Sequence, residues 1–101
     1  MNKKQFFILI ISILFTLPIG IKAQNQKIKI PGNSISLKAA FDQIEKQTGL
    51  SVDYDAKTID VKKLISISSQ SIALKDLMTL LLNDTQCNYI INKSHIIISY
   101  S

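Results

Sequence analysis

The chain has 101 residues, 12 lysines and no arginine against 7 acidic residues, a formal net charge of +5 and one cysteine. Three of the lysines (Lys3, Lys4, Lys22) fall in an amino-terminal segment with an export pattern, and the remainder holds nine lysines against seven acids, about +2, which leaves no basic stripe for nucleic acid. One cysteine excludes an internal disulfide, and the length beyond the leader admits one small core and no second domain.

The opening run MNKKQFFILIISILFTLPIGIKAQ has a basic start, an unbroken apolar stretch from Phe6, the breakers Pro18 and Gly20, and a small residue at Ala23. It reads as a signal peptide over residues 1–23, cleaved between Ala23 and Gln24. The competing reading, an uncleaved membrane helix, is disfavoured because the run is short for a hydrocarbon core of about 30 Å. Ile21, three residues before the expected cut, is larger than usual there. Cys87 lies far from this site, so a lipoprotein is excluded. Residues 24–101 are expected to form one exported domain without a membrane span.

That domain repeats itself. SISLKAAFDQI starts at Ser34 and SIALKDLMTLL at Ser71, an offset of 37. At the same offset Ile28 and Ile30 fall on Ile65 and Ile67, Phe41 on Met78, Ile44 on Leu81 and Thr48 on Thr85. Each copy shows apolar alternation, then helical spacing (Leu37, Ala40, Phe41, Ile44; Leu74, Leu77, Met78, Leu81), then alternation again. Each copy therefore predicts strand, helix, strand. Ser34 or Ser36 is expected to cap the first helix and Gly49 to end it in a left-handed conformation. Ser71 is the capping candidate for the second helix, because Ala73 replaces the counterpart of Ser36, and Asn83 or Asp84 has to end it. Asp42, Gln43, Glu45 and Lys46 leave the first helix half exposed, whereas Leu80 and Leu82 predict cover on more than one side of the second.

The chain closes with CNYIINKSHIIISYS, two β-rich runs joined at Asn92, Lys93 and Ser94, which predicts a tight hairpin. Its last strand has no counterpart in the first copy unless TIDVKK fills that place. The segment SHIIISYS is expected to be a sheet edge, with Ile96, Ile98 and Tyr100 toward the core and His95, Ile97 and Ser99 outward. These three outward residues are the candidate partner surface, Ile97 being an apolar side chain without an evident internal partner, and the face around Asp42, Glu45 and Lys46 is the alternative.

Groups able to do chemistry are few. His95 is the sole histidine and Cys87 the sole cysteine, so neither has a companion for a metal site, and each is better read as a structural side chain. Asp53, Asp55 and Asp60 in DYDAKTID resemble a calcium loop only superficially: the turn glycine is missing, Lys57 occupies a ligand position, and Leu64 stands where the bidentate glutamate belongs. No phosphate loop, dinucleotide fingerprint or nucleophile elbow occurs. The expectation is a protein that is not an enzyme and takes no cofactor, metal or small-molecule substrate.

From Ile28 to Ile98 the sequence resembles the secretin and TonB N-terminus short domain (STN). The resemblance is carried by Ser36-Leu37, Ala40-Phe41, Ile44, Thr48-Gly49-Leu50, Val52 and Tyr54, and again by Ala73-Leu74, Leu77-Met78, Leu81-Leu82, Thr85 and Tyr89. A leader ending in KAQ followed directly by such a domain is similar to the amino-terminal end of SusC/RagA-like TonB-dependent outer-membrane receptors. The resemblance implies an α+β fold: a duplicated βαβ unit, two helices packed between two small sheets, and a final hairpin. It implies a signalling module in the periplasm, or on the periplasmic side of the outer membrane, that contacts a protein partner such as a FecR-like anti-sigma regulator. No TonB box, plug or barrel stands between this domain and Ser101, so transport is not expected of these residues, and a free-standing module or truncated receptor is implied. The alternative is an assembly module like the secretin amino-terminal domains. All matched residues are packing residues, so no contact residue is carried over.

Overall fold

The structure, a computed structural model, describes residues 23–101. The signal-peptide expectation, residues 1–23, lies outside them except for its last residue. At its boundary Ala23 is buried, and its carbonyl accepts the Gln26 N–H at 3.1 Å. No helix among the described residues is long and apolar enough to cross a membrane.

Among the described residues the fold is mixed α+β, with two helices, small sheets and a terminal hairpin. In chain order the elements are β1 (Lys27–Lys29), β2 (Ser34–Ser36), α1 (Leu37–Thr48), β3 (Ser51–Asp53), β4 (Leu64–Ser66), β5 (Ser71–Ala73), α2 (Leu74–Leu81), β6 (Cys87–Asn92) and β7 (His95–Tyr100). The offset of 37 maps β1 onto β4, β2 onto β5 and the start of α1 onto that of α2. Each copy therefore carries one more short strand than its periodicity predicts. The Ser-Ile segment before each helix is itself paired, three residues being too few to show alternation in sequence.

Pairing crosses between the copies. Antiparallel β1–β5 matches Ile28 with Ile72, and antiparallel β2–β4 matches Ile35 with Ile65. Moving every residue of the first pair by the repeat offset produces the second pair with its register intact. The bonds at the strand ends obey the same operation: Ile30 N–H to Gln70 O corresponds to Ile67 N–H to Asn33 O, both within 2.8–2.9 Å. The two copies are thus related by a pseudo-twofold axis, and neither can complete a sheet alone. The third sheet, in the order β3-β7-β6, joins the equivalent ends of the two copies through β7, the strand that has no counterpart.

Between the sheets the helices bury the stripes that the sequence predicts: Leu37, Ala40, Phe41 and Ile44 from α1, and Leu74, Leu77, Met78 and Leu81 from α2. Full burial of each large apolar side chain contributes about 1.5–3 kcal/mol. The Phe41 ring meets Tyr54 with centroids 5.3 Å apart. Leu82 is also buried and Leu80 half-buried, so α2 is covered on more than one side. No polar or charged side chain is buried among the described residues.

Helix ends differ between the copies for local reasons. Ser36 caps α1, its Oγ accepting the Ala39 N–H at 3.1 Å, and Gly49 ends it at φ 77°. Ser71 does not cap α2, contrary to expectation. It lies in β5, and the cap position falls to Ala73, which has no side-chain acceptor. The end of α2 comes at Leu82 rather than Asn83 or Asp84, and Asp84 and Gln86 follow with positive φ of 65° and 60°. TIDVKK does not form the missing strand. Asp55 and Asp60 each accept a backbone N–H two residues on, from Lys57 and Lys62, and hold it as turns.

Candidate protein-interaction surface

Sheet β3-β7-β6 positions the candidate residues. Its inner face is set by Val52, Ile96, Ile98 and Cys87, all buried. Strand alternation then puts Ser51 and Asp53 of β3, His95, Ile97 and Ser99 of β7, and Asn88, Ile90 and Asn92 of β6 on the outer face. The predicted set His95, Ile97 and Ser99 does share that face: His95 and Ser99 are exposed and Ile97 is half-buried.

Three sequence expectations about this region fail. Strand β7 is the middle strand, not an edge: His95–Ile97 pair in parallel with Ser51–Asp53 on one side, and the whole strand pairs with β6 on the other. Ile97 has a partner, Ile90, directly across the strand pair. Tyr100 does not reach the core but is 63% exposed, because the sheet ends there and its Oη donates to Gln86 Oε1 at 2.6 Å. The first failure has its cause in the parallel β3–β7 pairing, which joins residues far apart in sequence and has no local signature.

Beside Ile97, Ser51, Asp53 and His95 are hydrogen-bonded to one another. His95 Nδ1 lies 2.7 Å from Asp53 Oδ2, and Ser51 Oγ donates to Asp53 Oδ1 at 2.8 Å. The Ser51 hydroxyl first, and His95 second, hold the Asp53 carboxyl below its ordinary range. On the inner face, burial chiefly, with Asp76 adding to it, pushes the Tyr89 phenol up. Cys87 is buried, and its N–H is bonded to Thr85 Oγ1 at 3.1 Å. Among the described residues no three His, Cys, Asp or Glu side chains converge as metal ligands.

The sheet edges differ in cover. On the outer edge of β1, the Gln47 side-chain amide accepts from Lys29 N–H at 2.8 Å and donates to Lys29 O at 2.9 Å, occupying the place of a strand. On the outer edge of β3, Glu45 Oε2 accepts the Val52 N–H at 2.9 Å. Both guards come from α1. An open groove beside β1, lined by Gln26, Lys29, Gln43, Lys46 and Gln47, is the surface of this same arrangement, its amides bonded to one another and to backbone.

Along strand β6 only the first outward N–H is taken, that of Cys87 by Thr85 Oγ1 at 3.1 Å, and no guard reaches Tyr89 or Ile91. The Ser101 N–H bonds Gln86 O at 2.9 Å, which fixes the alternation: Asn88, Ile90 and Asn92 bond toward β7, while Cys87, Tyr89 and Ile91 direct their N–H and C=O groups away from it. No described residue pairs with that side. Ile90 on this strand is 61% exposed. Sequence reading missed Ile90, Glu45 and Gln47 as the residues that decide which edges are open. The repeat offset held the signal, since it aligns Asp53 with Ile90, Glu45 with Leu82 and Gln47 with Asp84.

Compared with family models, with curated proteins and with solved structures, the chain matches none.

Proposed function

We propose that this chain is an exported protein-interaction module of a TonB-dependent receptor-like system, and that the outer face of sheet β3-β7-β6 receives a signalling partner with the character of a FecR-like anti-sigma regulator. One observation carries the choice of surface: Ile90 and Ile97 pair across β6 and β7 on a face otherwise lined by Ser51, Asp53, Asn88, Asn92, His95 and Ser99. An apolar centre within a polar rim, hydrogen-bonded on the side of Ser51, Asp53 and His95, is the anatomy of a protein contact rather than of a catalytic site. The resemblance to the STN domain supplies the partner class and the periplasmic setting.

The test is a calorimetric titration of the exported protein with the periplasmic fragment of a FecR-like regulator. Binding of modest affinity is expected for the parent and none for Ile97→Lys, whose melting temperature should stay close to that of the parent. Equal binding by Ile97→Lys moves the contact to the exposed face of α1 around Asp42, Glu45 and Lys46. The export step is checked by sequencing the amino terminus of periplasmic protein, expected at Gln24. Recovery of the intact chain in washed membranes overturns it. A second reading, assembly with copies of itself, is favoured by a different observation, the order of residues along β6.

A further inference from the structure

Residues Asn88-Tyr89-Ile90-Ile91-Asn92 read almost the same in both directions about Ile90. The strand carries no charged residue, no proline and no bulge, the usual devices that keep an edge from pairing. The edges of β1 and β3 are occupied by Gln47 and Glu45, and β2, β4 and β5 are only three residues long. At six residues, β6 is the one long edge strand among the described residues, and beyond the Cys87 N–H held by Thr85 no side chain or strand takes its outward groups.

We infer that β6 pairs antiparallel with β6 of a second copy about a twofold axis through Ile90, so that two three-stranded sheets become one of six strands. The register follows from the groups on offer. Tyr89 and Ile91 direct their N–H and C=O outward, and a twofold at Ile90 sets Tyr89 opposite Ile91 of the second copy, and Ile91 opposite its Tyr89, making four backbone bonds. Ile90 then falls at a non-hydrogen-bonded position, where facing side chains approach most closely. On the outer face Ile97 and Ile90 meet the same two residues of the other copy, and four isoleucines form a row across the central strands. Asn88 stands opposite Asn92 at each end of the pair, two amides able to donate and accept reciprocally. A one-residue slip would place a hydrogen-bonding residue of one copy against a residue whose groups point inward, so this register is specified by the backbone as well as by the side chains.

Second copies suit this edge better than an unrelated strand because the match of Asn to Asn, Ile to Ile and Tyr to Ile is already written into it. The dimer uses the edge and leaves the outer face of each sheet open, doubling the surface proposed for the regulator. It therefore goes beyond the regulator reading and does not depend on it. A single pair of edges buries less than the roughly 1,200 Å² at which stable complexes begin, so a dissociation constant on the order of 10–100 µM is expected.

Sedimentation of the exported protein over a range of concentrations tests the inference. The parent should pass from monomer to dimer, whereas Ile91→Pro, which removes an outward N–H at an edge position that tolerates proline, and Ile90→Lys, which sets two like charges face to face, should remain monomeric with native circular dichroism. Under mild oxidation Ile90→Cys should form a covalent dimer, since Cα atoms at such a position stand about 4.5 Å apart, and Asn88→Cys should not, because its own copy lies at the far end of the pair. A parent that stays monomeric at millimolar concentration, or dimers that survive both β6 variants, or equal cross-linking at positions 88 and 90, overturns the inference. None of these results bears on regulator binding, which is read on Ile97→Lys.

Discussion

The two copies of the repeat share a core and differ at their borders. Phe41 and Met78, Ile44 and Leu81, and Leu37 and Leu74 occupy equivalent buried sites, and the pairings β1–β5 and β2–β4 are one pairing applied twice. The border residues are not exchanged with the same fidelity. Helix α1 runs for 12 residues with a serine cap, a glycine stop and two side chains that guard sheet edges; α2 runs for 8 with neither cap nor glycine, and its counterparts of Glu45 and Gln47 are Leu82 and Asp84. The difference teaches that packing is conserved between the halves by the need to fill one shared interior, while caps and guards are free to diverge. The copy that has lost its guards is the one that ends in an open edge.

The most damaging way to test the equivalence is to remove one member of a core pair at a time. Phe41→Ala and Met78→Ala should each lower stability by about 2–5 kcal/mol in chemical denaturation, as buried large-to-small changes do, a large share of what so small a domain possesses. If one of the two is silent, its copy does not contribute to a common core.

Smaller effects come from the left-handed sites. Gly49 and its counterpart Gln86 both have positive φ, 77° and 60°. Gly49→Ala should cost about 1–2 kcal/mol, because a Cβ is strained in that conformation. Nothing lies within 4 Å of where that Cβ would stand, so crowding adds nothing. Gln86→Gly should change stability by less than about 0.5 kcal/mol: relief of strain is offset by loss of the Tyr100 bond to Gln86 Oε1. Thermal unfolding of the two variants distinguishes a glycine that is needed from a glutamine that is tolerated.

The helix starts offer a reciprocal exchange. Ser36→Ala should cost about 1 kcal/mol, and Ala73→Ser should gain a similar amount by giving α2 the acceptor it lacks. A loss on Ser36→Ala without a gain on Ala73→Ser would show that the start of α2 is held by its sheet rather than by its cap.

What was legible in the sequence follows the same division. Ser36, Gly49 and the two helix stripes could be read because each acts within one turn of its own position. The final hairpin could be read because its two-residue turn is local, with Lys93 at φ 57°. The place of β7 between β3 and β6 could not, since Val52 and Ile96 meet only after the whole second copy has been threaded past. The edge guards were hidden for a related reason: Gln47 and Glu45 look like the solvent face of an amphipathic helix, and only the strand laid beside them turns an amide and a carboxylate into sheet partners. Ile90 looked unremarkable within CNYIIN until the pairing showed which side of that strand was open. Of the candidate surface, therefore, the face was readable from alternation and the edge was not.

The smallest expected effect lies at the position where the outer face differs between the copies, Asp53 in the first and Ile90 in the second. Asp53 is ionised at a lower pH than an ordinary aspartate, from 3.8 downward, chiefly because Ser51 donates to it and secondly because His95 does. A carboxyl whose value is depressed by folding stabilises the fold above its unfolded value, and that contribution is lost as pH falls through the folded value. The window therefore lies below 3.8, in acid, and the contribution is slight because the side chains are about half exposed and screened by solvent. Carboxyl-carbon titration by NMR should show Asp53 moving up toward the ordinary value in Ser51→Ala, and moving up by less in His95→Ala. Added salt should reduce the His95 contribution, which includes a charge, and leave that of the Ser51 hydroxyl in place. A larger rise in His95→Ala than in Ser51→Ala would make the ion pair across β3 and β7, rather than the hydroxyl within β3, the group that orders this side of the face.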